Sequence, residues 1–164
     1  MGVFLSRSSP DVGAPGQACR LVASPGELEQ HARIRRAVFV EEQHLFEHSD
    51  QDEFDRDPTV RHVVAYAQHV PVGTVRLYRL PEAGGEVLWK GDRLAVLREY
   101  RHLRLGGPLV KYAVATAAAA GGDRMIAFVQ LANVLFFRRL GWTPVGEPAP
   151  YVGVPHQQMS IDLT

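Results

Sequence analysis

The residues best suited to chemistry lie between Leu94 and Leu109, in the order Leu-Ala-Val-Leu-Arg-Glu-Tyr-Arg-His-Leu-Arg-Leu-Gly-Gly-Pro-Leu. An apolar run gives way to a basic loop, two glycines and a proline. That order predicts a buried strand, a loop and the start of a helix. The first N–H groups of a helix have no internal acceptor, and the helix dipole adds partial positive charge there. Together they favour an anion. Gly106 and Gly107 let a ligand approach the backbone closely. Pro108 suits the first helical turn, where its missing N–H costs nothing. Arg101 and Arg104 bring full charges to the same place. The ligand expected there is a pyrophosphate.

The elements that must position this segment are readable in outline. Residues 18–23 read as a first strand. Ser24-Pro25-Gly26-Glu27 is a helix start, with Ser24 as N-cap, Pro25 at the first helical position and Glu27 closing a capping box. This helix is expected to turn Leu28, Ile34, Ala37 and Val38 inward and to end near Val40. Residues 41–58 carry eight of the chain's 18 acidic residues and read as a loop with a short helical piece. Strands follow at 61–68 and 72–80, joined by a turn at His69-Val70-Pro71, with Gly73 marking a bulge. A third strand of this meander spans 86–97, after the turn residues 81–85. A helix over 105–120, rich in alanine, ends at Gly121-Gly122. A strand at 124–130, a short helix at 133–140 capped by Gly141, and strands at 142–145 and 157–163 complete the chain. No repeat or internal linker interrupts residues 18–164, so one α/β domain is expected there, behind a flexible leader of residues 1–17.

The totals set limits. The 164 residues suffice for one domain with a substantial core. Apolar residues make up 46% and charged residues 22%, and 18 basic residues balance 18 acidic ones. With no net charge, nothing global directs the chain to nucleic acid or to an anionic membrane. Cys19 is the single cysteine, which rules out an internal disulfide and fits a reducing, cytoplasmic setting. No run reaches transmembrane length. Met1-Gly2-Val3-Phe4-Leu5-Ser6 fits the loose myristoylation pattern, but a floppy leader is the better reading. His44 and His48, four apart, lack the companion ligands of a metal motif, so no metal is expected. Neither a dinucleotide-binding glycine fingerprint, a nucleotide-hydrolysing P-loop nor a nucleophile elbow is present.

The order of elements resembles the GNAT superfamily of N-acetyltransferases. Arg101-His102-Leu103-Arg104-Leu105-Gly106 is similar to its Arg/Gln-x-x-Gly-x-Gly/Ala motif, with Arg104 in place of the first glycine. Asn133 to Trp142 resembles the family's Asn…Phe-Tyr-x-x-x-Gly-Phe segment, and Val152 to Met159 its last hairpin. Residues 35–43, 52–55 and 92–96 look like a bacterial branch named for nitrogen starvation, a name that carries no substrate. The resemblance implies a mixed, mostly antiparallel sheet of six to seven strands with helices on both faces. It implies that the fourth and fifth strands splay apart and that acetyl-CoA, as co-substrate, lies in the opening. Backbone near Leu94, Ala95 and Val96 would pair with the pantetheine arm and supply an oxyanion donor. Arg101, Arg104, Leu105, Gly106, Gly107 and Pro108 would hold the pyrophosphate, and Asn133 and Phe137 would line the other wall. Related domains often pair, so a homodimer is compatible.

Acyl transfer to an amine needs a base, an oxyanion donor and a way for the thiolate to leave. Strand alternation places Lys90, Asp92 and Leu94 on one face, and relatives carry catalytic groups two and four positions before this leucine. Asp92 is therefore the first candidate base, weighed against a surface ion pair with Arg93 or Arg76. Glu41 and Glu42 are the runners-up. The family's thiol-protonating tyrosine aligns with Phe137, which cannot donate a proton, so Tyr151 or His156 must take that role or the thiolate leaves unaided. The acidic segment 41–57 is expected to flank the acceptor and to favour a cationic small-molecule or peptide amine. The alternatives are a non-catalytic acyl-CoA-binding sensor, motivated by Phe137, and an acyltransferase with a different donor, as in acyl-homoserine-lactone synthases.

Overall fold

The structure is a computed structural model that describes residues 16–82 and 84–164. The leader pattern at Met1–Ser6 lies outside the described residues, as does Ala83 of the turn after residue 80.

Seven strands form one sheet in the order β1-β2-β3-β4-β5-β7-β6. They are β1 (Gln17–Leu21), β2 (Arg61–Ala67), β3 (Val70–Arg79), β4 (Leu88–Val96), β5 (Arg124–Gln130), β6 (Thr143–Tyr151) and β7 (Val154–Asp162). Every neighbouring pair is antiparallel except β4 and β5. Helix α1 (Pro25–Arg35) crosses one face, over β2, β3 and β4, and α2 (Gly106–Ala119) crosses the other. The short α3 (Val134–Arg139) packs against β6. The larger apolar core lies on the α2 face, around Val63, Leu77, Leu109 and Met125. The smaller lies under α1, around Ile34, Val38 and Val64.

The start of α1 follows its sequence signal. Ser24 Oγ accepts from Glu27 N at 3.2 Å, with Pro25 in the first turn. The capping box, however, is only half made. The Glu27 carboxylate accepts from the Tyr66 hydroxyl at 3.5 Å instead. The helix also runs past Val40, because a π-helical stretch (Arg36–Glu42) continues it, with Gln43 N donating to Val38 O. Its inward residues are His31, Ile34, Arg35 and Val38, the i, i+3, i+4, i+7 row of a buried face. Leu28 and Ala37, expected inside, are only partly buried. The row was hidden because two of its four members are normally polar surface residues, and here each has an internal partner.

Three strand details differ from the sequence reading. The β2–β3 turn is Gln68-His69, one residue earlier than expected, with φ of 50° and 67°. Two left-handed residues match the twist of a tight hairpin, which leaves Pro71 inside β3 opposite Tyr66. The expected bulge is present next to Gly73, where a Cβ would stand 3.0 Å from Leu109 Cδ1. Strand β6 extends to Tyr151, although it contains Pro144, Pro148 and Pro150. Prolines are tolerated because β6 is the sheet's outer strand. Gln157 Nε2 donates to the carbonyls of Val145 and Gly146 where the β6–β7 register slips.

The third difference sits in β4. Thr74 pairs with Ala95 and Arg76 with Asp92, so Val75 alone faces both Arg93 and Leu94. Arg93 takes φ of 53° to make this bulge. A bulge shifts the alternation by one. Asp92 therefore stays on the α1 face with its cross-strand neighbour Arg76, while Leu94 packs into the α2-side core. The expected shared face of Lys90, Asp92 and Leu94 does not exist.

Candidate active site

Pairing between β4 and β5 is short. It joins Leu88 to Arg124, Trp89 to Met125 and Lys90 to Ile126, and then stops. Beyond it β4 is held only by β3, and β5 only by β7. The facing edges of residues 91–96 and 127–130 thus carry backbone groups with no strand partner. Unpaired edge groups inside a fold call for a ligand that can stand in for a strand. Arg101 Nε donates to the Val96 carbonyl at 3.1 Å.

At the outer end of the gap lies a groove lined by Leu94, Ala95, Val96, Arg101, Arg104, Leu105, Gly106, Gly107 and Asn133. Gly106 and Gly107 hold the first two positions of α2, where helical N–H groups point outward unbonded. Pro108 follows in the same turn. Arg104 ends the preceding 3-10 turn (Arg98–Leu103) with φ of 56° and ψ of 41°. This is the left-handed conformation that a glycine adopts freely, so the loop keeps its shape although the motif's first glycine is absent. Arg104 is exposed and has no acidic partner among the described residues. Arg101 differs. Its guanidinium makes a two-bond pair with Glu42, at 2.6 and 2.5 Å. The charge expected for the pyrophosphate is therefore partly spent, and the hydrogen bond from Arg101 holds the Glu42 carboxyl below its ordinary range.

At its inner end the gap opens into a cavity that passes through the sheet. The groove and the cavity share Leu94, Gln130 and Asn133. On the α1 side the cavity is walled by Phe39, Phe46, Asp92, Arg93, Tyr151 and His156. On the α2 side it meets Val110, Ala113, Met125, Phe137 and Trp142. Phe137 is buried and packs edge-on against Phe136 and Trp142, at 5.5 and 5.3 Å between ring centres.

The proton-handling candidates converge unequally. His156 Nδ1 lies 2.7 Å from the Val154 carbonyl, which can only accept. The proton must therefore sit on Nδ1, and a neutral ring presents a bare Nε2. Tyr151 lies edge-on to His156 at 5.2 Å and stacks with Phe128, while the Lys90 ammonium sits over both Phe128 and Tyr151. Asp92 also lines the cavity, but both its oxygens accept from Arg76, at 2.8 and 2.7 Å. The pair with Arg76 is real, yet it is internal rather than at the surface, since Arg76 is fully buried.

Asp92 belongs to a network that the sequence did not announce. Arg35, Arg76 and Arg93 are all buried, and four aspartates face them. Asp50 lies between Arg35 (2.7 Å) and Arg93 (2.9 Å). Asp55 accepts twice from Arg35 and once from His62, and Asp52 pairs with Arg76 and Arg93. Burial pushes the Asp55 carboxyl up, but the bonds from His62 and Arg35 outweigh it and hold the group well below the usual range. Asp50, Asp52 and Asp55 come from the acidic segment. Three of the carboxylates expected to attract a cationic acceptor are instead spent on the protein's own arginines. Segment 43–48 is not helical, so His44 and His48 do not face a common point. Cys19 is buried in the core, and burial pushes its thiol up to about 12, which leaves it inert.

Known proteins share this architecture. The chain matches the acetyltransferase (GNAT) family over residues 28–142. It is 29% identical over 137 residues to Uncharacterized N-acetyltransferase YjcF of Bacillus subtilis (strain 168), covering 83% of this chain and 93% of that one. The crystal structure of Escherichia coli ElaA superposes with a TM-score of 0.76 at 23% identity, over 88% of this chain and 98% of that one. An aminoglycoside 6'-N-acetyltransferase complexed with coenzyme A superposes at 0.67 with 20% identity, over 89% and 97%. With the family match spanning most of its length, the chain belongs to the acetyltransferase (GNAT) family, a family of acyl transfer from coenzyme A.

Proposed function

We propose that the protein is an N-acetyltransferase that transfers the acetyl group of acetyl-CoA to a primary amine by direct attack in a ternary complex. The observation that carries this reading is the unpaired gap beside residues 91–96, which runs without interruption into the anion groove at Arg104, Gly106 and Gly107. A pantetheine arm has the amides to pair with the open edges, and its diphosphate end reaches the helix N-terminus. The complex of the structurally similar aminoglycoside acetyltransferase with coenzyme A supports the choice of cofactor. A cytoplasmic setting, where acetyl-CoA is available, fits the buried free cysteine.

In this reading the acceptor enters on the α1 side. Its neutral nitrogen attacks the thioester carbon, and a C–N bond forms as the C–S bond breaks. A backbone N–H of β4 between Leu94 and Val96 faces the carbonyl oxygen as charge builds on it. His156 Nε2 accepts the proton released by the new amide nitrogen. The coenzyme leaves as thiolate and is protonated by Tyr151 or by water, because Phe137 cannot serve. Asp92 acts with Arg76 to position the wall of the site. Glu42 serves through Arg101 rather than as a base. The acceptor is a small molecule or a peptide amine, and its attraction to the site rests on Glu41, Glu47, Glu53 and Asp57, the acids of the segment that remain exposed.

The test is thiol release from acetyl-CoA over a panel of amines, with products identified by mass spectrometry. Turnover on at least one primary amine is expected, and His156→Gln should lower kcat by about 10²–10⁴-fold at unchanged acetyl-CoA affinity. Tight coenzyme binding with no turnover on any amine would overturn catalysis and favour a sensor, the reading that Phe137 raises.

A further inference from the structure

We infer that the α2-side half of the cavity is an acyl-chain pocket, built for donors of about three to five carbons rather than for acetyl alone. This rests on the coenzyme reading above and names the donor class more closely. The shared residues Leu94, Gln130 and Asn133 mark where the groove ends and the cavity begins. A pantetheine arm anchored at Gly106 fills the groove and brings its thioester to that junction. The acceptor approaches from the side of His156. What remains is the half behind the sheet, bounded by Val75, Val110, Ala113, Met125, Phe137 and Trp142. All six are buried.

The size argues for more than a methyl group. The whole cavity measures about 120 Å³. A cavity of about 150 Å³ with apolar walls admits benzene, with its six carbons. By that scale the two halves together have room for about five carbons, which is the upper bound for the α2-side half, and an acetyl methyl would use a small part of it. Cores normally close such space. Here the small residues Gly91, Ala113 and Ala127 keep it open. At Gly91 an added Cβ would stand 2.8 Å from Met125 Cε, so even a methyl group there would press on the pocket wall. The lining offers no charged group on the α2 side, so the group accepted is a saturated or branched hydrocarbon chain.

The test is calorimetric affinity of the whole protein for free CoA, acetyl-CoA, butyryl-CoA, isovaleryl-CoA, hexanoyl-CoA and octanoyl-CoA. Each buried methylene contributes about 0.8 kcal/mol. Butyryl-CoA should therefore bind about 15-fold tighter than acetyl-CoA, and the gain should stop between isovaleryl and hexanoyl. Ala113→Leu fills the pocket from α2 and should abolish the butyryl-to-acetyl ratio. Ala127→Leu does the same from β5, should the first variant not fold. Equal affinity from acetyl to hexanoyl, or weakening from butyryl onward, overturns the pocket while leaving the coenzyme site intact. A failure to bind even free CoA would instead overturn the underlying reading. A butyryl preference that persists in both leucine variants would place the chain elsewhere and also refute the proposal.

Discussion

Arg104→Gly is expected to make the protein more stable and its coenzyme binding weaker. Arg104 holds a left-handed backbone at φ 56°. For a residue with a Cβ that conformation costs about 1–2 kcal/mol, which glycine avoids. Glycine gives back about 0.5–1 kcal/mol through its freer unfolded chain. The net gain is about 0.5–1 kcal/mol, or about 1–4 °C in Tm for a chain of this size. Against that, the variant removes the exposed cation of the groove that is not already paired. A charge-assisted bond to phosphate is worth about 1.5–3 kcal/mol, and exposure to salt reduces it. A loss of about 1–2 kcal/mol, five- to thirty-fold in Kd for CoA, is expected. Arg104→Ala separates the two effects, because it loses the charge and keeps the strain. Its affinity should fall as far, with no rise in Tm. Thermal denaturation and calorimetry read both quantities on the same samples. A lower Tm in the glycine variant would refute the strain argument, and unchanged CoA affinity in both variants would refute the anion site.

Three further outcomes follow, two from buried groups and one from a strained exposed turn. Burial, partly opposed by its bond to the Val75 carbonyl, lowers His31 to about 3, so it stays neutral in the fold while the unfolded chain takes up a proton below about 6.5. The stability tied to it is complete above pH 6.5 and is lost as pH falls toward 3. By pH 5 that loss is about 2 kcal/mol. Urea denaturation from pH 7 to 5 should show a shallower decline in His31→Gln, whose amide can still donate to Val75; parallel declines would sink the assignment. Asp50→Ala removes the carboxylate between Arg35 and Arg93 and leaves them only Asp55 and Asp52 as partners, so it should cost about 1.5–3 kcal/mol in urea denaturation, whereas a cost below ~1 kcal/mol would mean the network contributes little. Val152 is β-branched at φ 52° in the β6–β7 turn, so Val152→Asn should raise Tm, and a fall would show that this turn is not strained.

What the sequence made legible was local. Ser24 and Pro25, the glycine stops at Gly121 and Gly141, and the strand–loop–helix at 94–109 each depend on neighbours a few residues away, and each stands in the structure. The opening between β4 and β5 was legible only through family resemblance, since no residue in either strand marks where pairing ends. Features set by distant partners escaped. Nothing in the run Arg93-Leu94-Ala95 announces a bulge, because a bulge is a relation to β3 and Arg93 is not a glycine. Asp50, Asp52 and Asp55 looked like solvated acids beside an acceptor until Arg35, Arg76 and Arg93 were brought against them from 15 to 43 positions away. Two arginines buried on helix and strand periods were the available signal. Arg35 falls on the inward row of α1, and Arg76 sits amid the apolar run of β3.

Coenzyme A is expected to complete the sheet between β4 and β5, and amide hydrogen exchange with and without saturating CoA tests this most directly. Slower exchange should be confined to residues 91–96, 127–130 and 104–107, where open strand edges and the helix N-terminus meet the ligand. Saturable binding that leaves these three segments exchanging at their free rates would contradict it.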